Sequence, residues 1–144
     1  MIMNGITMSK YATIEYKIMA RIVRKNASVF VREDFKDLSD YDQVGRALRN
    51  LTKKGRLIRL GYGVYAKVKK SLINGKTVPV APLPTLAKEA LQRLGVETAP
   101  SRLEQAYNAG KTTQVPTGRL IGVKGRVNRK LGYQGAFISY ERAA

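Results

Sequence analysis

FVREDFKDLSDYDQVGRALRNLTKKGRLIRLGYGVYAK, residues 30–67, is the stretch that decides the fold. Residues 32–38 read as a short helix with Phe35 and Leu38 facing inward and Glu33 and Asp34 at its positive end. A polar break at Ser39-Asp40-Tyr41 follows, and then a second helix from about Asp40 to Lys54. Ser39 and Asp42 have the spacing of a capping box. Val44, Ala47, Leu48 and Leu51 share the core face, while Gln43, Arg46, Arg49, Asn50 and Lys53 lie opposite. Lys53 and Lys54 suit the negative helix end, and Gly55 supplies the left-handed stop. Leu57–Leu60 and Val64–Val68 then form a hairpin that turns at Gly61-Tyr62-Gly63 and projects Tyr62. This order of elements is that of a winged helix-turn-helix, which sets one helix in a DNA major groove and a hairpin against the flanking backbone.

Working outward, the N-terminal side supplies one more helix over residues 10–25, with Ile14, Ile18, Met19, Ile22 and Val23 as its apolar stripe. Ser28–Val31 reads as a brief strand that pairs with the hairpin. On the C-terminal side, Asn74-Gly75 and the prolines at 79, 82 and 84 mark a connector containing a short edge strand at Lys76–Val80. Thr85 caps a helix carrying Leu86, Ala87, Ala90, Leu91 and Leu94. Ser101 and Glu104 form a capping box for a second, shorter one ending at Tyr107 or Ala109. Strands are expected at Arg119–Lys124, Arg126–Leu131 and Ala136–Tyr140. The expected fold is α+β: a winged helix-turn-helix domain over residues 1–70, a connector over 71–84, and a small domain of two helices and an antiparallel sheet over 85–144.

Charge narrows the function classes. Twenty-seven Lys and Arg against ten Asp and Glu leave a net charge of +17, which opposes compaction and favours a polyanionic partner. DNA, RNA and an anionic membrane surface all satisfy it. The membrane fits least, since no basic amphipathic helix with aromatic anchors and no apolar run of about 20 residues is present. With no Cys and no His, disulfides, thiolate metal sites and the commonest general base are excluded. No cofactor or metal is expected, and the reading is of a non-enzymatic, cytoplasmic protein. The start, MIMNGITMSKYA, lacks the pattern of a signal peptide, and Met3 and Met8 offer alternative starts. Gly110-Lys111-Thr112 is not a phosphate loop, because position 105, where that motif needs glycine, is Gln and a helix precedes it.

On the second helix, Tyr41, Gln43, Arg46 and Asn50 are the expected base readers, for Arg, Asn and Gln make bidentate contacts to base edges. Arg49, Lys53, Lys54 and Arg56 are expected on phosphates, and Arg59, Tyr62 and Lys67 as wing contacts to backbone or minor groove. A solvated basic face on an ordinary amphipathic helix is the plainer alternative. In the expected strand 126–131, Arg126, Asn128 and Lys130 share one side and Val127, Arg129 and Leu131 the other. That basic side extends a DNA footprint, binds RNA, or is merely solvated.

Arg46-Ala47-Leu48, Leu51, Lys53, Gly55, Leu57–Leu60 and Gly63-Val64-Tyr65, joined to APSRLEQAYNAGKTTQVPTGRLIGVKGR, resemble the AbiEi-type antitoxins of type IV toxin–antitoxin systems. The resemblance runs from about residue 10 to residue 142. It implies a bacterial, autorepressing transcriptional regulator on duplex DNA upstream of its own gene, compatible with a homodimer on DNA. It further implies a nucleotidyltransferase-like toxin encoded nearby and a second domain tied to antitoxicity. The chain is shorter than many such antitoxins. A basic RNA-binding or ribosome-associated protein is the alternative expectation.

Overall fold

The computed structural model describes residues 13–143, so residues 10–12 of the expected first helix, and the chain start, lie outside the described residues. Helix α1 (Ile14–Arg24) opens where the Thr13 hydroxyl accepts the Tyr16 N–H at 3.1 Å. It buries Ile18 and Ile22, one turn apart, whereas Val23 is 74% exposed and does not belong to the apolar stripe. A single i, i+4 ridge is enough to meet its neighbour, and the next residue around the wheel points outward.

Strand β1 (Val29–Val31) leads into a four-residue 3-10 turn, Arg32–Phe35, in place of the helix expected over 32–38. Helix α2 (Tyr41–Lys53) follows. Its cap is Asp40, whose carboxylate accepts the Gln43 N–H at 2.8 Å, so the expected Ser39/Asp42 box does not form. Gly55, at φ +75°, lets the Arg56 N–H close back on the Leu51 carbonyl at 2.9 Å and end the helix. Strands β2 (Ile58–Gly61) and β3 (Val64–Ala66) form a hairpin, and β1 pairs antiparallel with β3, giving the sheet order β1-β3-β2.

The two-residue period of those strands assigns each side chain to one of two cores. Phe30 and Tyr65 join Ile18, Ile22, Phe35, Val44, Leu48, Leu51 and Leu57 on the α1–α2 side. Val29, Ile58, Leu60, Val64 and Ala66 face the other way and meet Leu86, Ala87, Ala90, Leu91, Ile121, Val123, Leu131 and Ile138. The sheet is therefore covered on both faces, and one apolar cluster is built from both sides of the expected 71–84 connector. Polar contacts add to this joint. Glu89 accepts the Ser28 and Val29 N–H groups at 2.8 Å each, and Arg93 pairs with Asp34.

Strand β4 (Val68–Lys70), just before the expected connector, pairs with β5 (Thr77–Pro79) inside it, where an edge strand was expected. Helix α3 runs Leu83–Arg93 and starts two residues before the expected Thr85 cap, with Pro82 at the cap position and Pro84 inside the first turn. A proline there loses nothing, because first-turn N–H groups have no helical acceptor. Strand β6 (Thr98–Ala99), absent from the sequence reading, precedes α4 (Arg102–Asn108). The α4 capping box forms as expected, with Ser101 and Glu104 exchanging bonds of 3.1 and 3.0 Å.

Strands β7 (Leu120–Val123), β8 (Gly132–Tyr133), β9 (Ala136–Phe137) and β10 (Ser139–Arg142) complete the chain. Two expectations are corrected here. β7 pairs antiparallel with β6 but parallel with β10, so that sheet is mixed. Residues 126–131 form no strand; the hairpin β8–β9 begins only at Gly132, and the segment before it is extended chain held by isolated bonds. Overall the protein is α+β.

Arg21 forks onto Asp37 with bonds of 2.7 and 2.8 Å and also donates to the Asp34 carbonyl at 2.7 Å, tying α1 to the acidic turn. Those hydrogen bonds from Arg21 draw the Asp37 carboxyl down to about 2. A folded-state value below the unfolded one stabilises the fold above the unfolded value and is lost as pH falls through the folded one. Acid unfolding curves of Asp37→Asn and wild type should therefore converge towards pH 2 and separate above about pH 4. A constant difference down to pH 2 would show that the pair contributes through something other than its charge.

Candidate nucleic-acid interface

Helix α2 turns its basic side to solvent because its apolar side is consumed by the core: Gln43, Arg46, Arg49 and Lys53 are exposed, and Arg56 follows just beyond its end. Among the described residues none of the four cations enters an ion pair. Tyr41 at the helix start and Tyr62 at the hairpin tip are both more than half exposed, and their hydroxyls meet at 3.2 Å. Helix start and hairpin tip thus adjoin. Gly63, at φ +68°, allows the tight turn that projects Tyr62. The hydrogen bond shared with Tyr41, and then the Arg32 charge, lower the Tyr62 hydroxyl below the ordinary phenol range, while the same bond raises that of Tyr41.

The hairpin tip also touches the C-terminal half. Arg129 donates to the Tyr62 carbonyl at 3.0 Å, and Arg59 Nε donates to the Gly61 carbonyl at 3.2 Å. Gly61 permits the approach, since a Cβ there would stand 2.5 Å from the Lys130 carbonyl oxygen. Arg126, Asn128 and Lys130 are exposed while Val127 and Arg129 are partly covered and Leu131 is buried. The expected alternation of faces is therefore present even without a strand. A groove of about 530 Å³ runs between Tyr62 and Arg126–Lys130, and a second of about 330 Å³ joins Arg59 and Tyr62 to Lys130 and Phe137. The hairpin and the secondary basic segment, some seventy positions apart in sequence, make one surface.

Three expected contact residues are engaged elsewhere. Glu15 of α1 accepts from Lys54 at 2.7 Å and from Asn50 at 3.3 Å; the Lys54 bond is the main cause of its lowered carboxyl. Arg46, Gln43 and Asn50 line a shallow depression with that same Glu15. Lys67 donates to the Lys25 carbonyl at the C-terminal end of α1, where the dipole favours a cation, and lies over the Phe30 ring. It sits at the foot of the hairpin rather than at its tip. By contrast Arg49, Lys53, Arg56 and Arg59 remain exposed.

Glu15 and the exposed Asp42 lie beside the basic residues of α2, while five other acids pair with cations elsewhere. Asp34 and Asp37 hold Arg93 and Arg21, Glu97 faces Lys124, Glu104 faces Lys88, and Glu141 faces Arg102. Residues 14–132 match the family of unknown function DUF6088. The chain belongs to that family. No curated protein and no solved structure matches it. The DUF6088 region spans α1 to the first residue of β8 and so contains every residue of the surface except Phe137.

Two members of the surface escaped the sequence reading. Phe137 is 48% exposed, and Lys130 Nζ lies 4.5 Å from its ring centroid. Its ring lies across Gly132, where an added Cβ would stand 2.3 Å from it. Arg32, in the sequence only the first residue of the expected 32–38 helix, has its guanidinium carbon 4.1 Å from the Tyr41 ring centroid. No sequence motif marks either, because both depend on how neighbouring turns fold back on one another and on the hairpin tip. Among the described residues no group of three or more metal-ligating side chains converges, and no helix is long and apolar enough to cross a membrane.

Proposed function

We propose that this protein is a cytoplasmic, non-enzymatic, sequence-specific duplex-DNA-binding transcriptional regulator, with α2 as recognition helix and β2–β3 as wing. One observation carries the reading: cations that have no ion-pair partner among the described residues extend from the exposed face of α2, through the Tyr41–Tyr62 contact, to Arg126–Lys130. The element order and the β1-β3-β2 sheet support a winged helix-turn-helix. The resemblance to AbiEi-type antitoxins extends the proposal to autorepression beside a toxin gene, with a homodimer on DNA as the assembly.

Competition binding at ~150 mM salt, where loose electrostatic binding is partly screened, tests it. Duplex from upstream of the gene should outcompete random duplex and structured RNA of equal length. Equal binding to all three would remove the regulator reading. Within α2, Arg46→Ala should relax discrimination between specific and random duplex by about 1–3 kcal/mol, and Lys53→Ala should weaken both alike. The same loss on both duplexes for both variants would remove this division of roles. A second reading, RNA binding, draws on Phe137 under Lys130 beside Tyr62 and Arg59, since exposed rings flanked by cations suit unpaired bases. Preference for unpaired RNA, abolished by Phe137→Ala, would favour it.

A further inference from the structure

Arg32 leaves the 3-10 turn and lays its guanidinium across α2 at Gly45, where an added Cβ would stand 2.5 Å from a terminal nitrogen. Only a glycine in that helix turn admits the group so closely. The guanidinium carbon then lies 4.1 Å from the Tyr41 ring centroid and 5.8 Å from that of Tyr62. The two hydroxyls lie 3.2 Å apart.

What the cluster lacks is an anion. Among the described residues no carboxylate pairs with Arg32, and its Nε is enclosed without an acceptor. Asp34 is committed to Arg93 and the Val31 N–H, Asp37 to Arg21 and Asp40 to the Gln43 N–H, and among the described residues the exposed Glu33 and Asp42 form no ion pair with Arg32 either. A half-buried guanidinium without a counter-ion is costly in isolation and preorganised for an anion arriving from outside. The start of α2 adds a favourable dipole.

We propose that Arg32, the Tyr41 hydroxyl and the Tyr62 hydroxyl form a receptor for one backbone phosphodiester, held where the start of α2 meets the hairpin tip. The assignment to a phosphodiester rests on the DNA reading above. The guanidinium supplies charge and a planar pair of donors, and the hydroxyl pair, one of whose hydrogens is held in the Tyr41–Tyr62 bond, supplies one more. A phosphate there clips helix and hairpin together and sets how α2 enters the groove, so Arg32 acts on affinity and register without reading a base.

The test has two arms. In the first, inorganic phosphate is titrated into the full chain while the ring signals of Tyr41 and Tyr62 are followed by NMR. Saturable shifts at these rings, absent in Arg32→Gln with its amide spectrum otherwise retained, are expected. Shifts spread evenly over the basic surface, or unchanged in the variant, would overturn the receptor. In the second, a neutral methylphosphonate is walked through the upstream duplex. At one position it should cost wild type roughly tenfold or more, as loss of a charge-assisted hydrogen bond does. Arg32→Gln should show that loss on unmodified duplex, no further loss at that position, and a salt slope smaller by about one. Tyr62→Phe, altered at an exposed atom, should reproduce part of the effect at the same phosphate. Independent, additive losses at every position would overturn the proposal. Should wild type bind no duplex, the DNA reading and the phosphodiester assignment fall together, while the phosphate titration still decides whether Arg32 receives an anion.

Discussion

Raising salt from 50 to 200 mM should lower affinity for duplex DNA by roughly 10³–10⁵-fold, the loss expected when about 6–10 phosphates are neutralised. In the proposed interface Arg32, Arg46, Arg49, Lys53, Arg56, Arg59, Arg126, Arg129 and Lys130 supply the charge. Each neutralised phosphate releases condensed counterions, so log affinity should fall with log salt at a slope near −0.9 per contact. Lys54 and Lys67 are not counted, since Glu15 and the Lys25 carbonyl already engage them. Fluorescence anisotropy of a labelled duplex across a salt series measures the slope. A slope of about −2 or shallower would mean that most of this surface stays solvated, as an ordinary basic face would.

Leu91→Ala should destabilise the protein by about 2–5 kcal/mol, the cost of removing a buried leucine from a core that cannot collapse fully around the gap. Leu91 is completely buried, in the cluster that holds Val29, Ile58, Leu60, Val64 and Ala66 of the β1-β3-β2 sheet. The loss should therefore reach the hairpin and the surface proposed to bind DNA, although the substitution lies in α3. Urea unfolding followed by far-ultraviolet circular dichroism and by tyrosine fluorescence should give one coincident transition, shifted to lower urea in the variant. Two separate transitions, with the N-terminal one unmoved by Leu91→Ala, would mean that residues 1–70 fold without the rest.

Where neighbours in sequence decide, the sequence was enough to read the fold. The α2 core face, its stop at Gly55, the Ser101–Glu104 box and the tip at Tyr62 all depend on residues within about one helical turn or one tight turn. The misread positions had two locally adequate answers. Ser39 and Asp40 are both good caps, and only the path of the chain out of the 3-10 turn selected Asp40. Likewise Arg126–Leu131 has the alternation of a strand but finds no partner ladder, so its backbone stays unpaired by any strand.

The sequence by itself determined the charge, the α+β composition, the helix faces and the exposure of Arg46, Arg49 and Lys53. These follow from residue type and period. Tertiary structure alone decided that β10 lies parallel to β7, that one core joins the two halves, and that Glu15 engages Asn50 and Lys54. It also decided that Arg32, Tyr41, Tyr62 and Arg129 meet at one point. The reason is physical: such contacts join segments tens of residues apart, and their energies depend on how the packed layers align rather than on any local pattern.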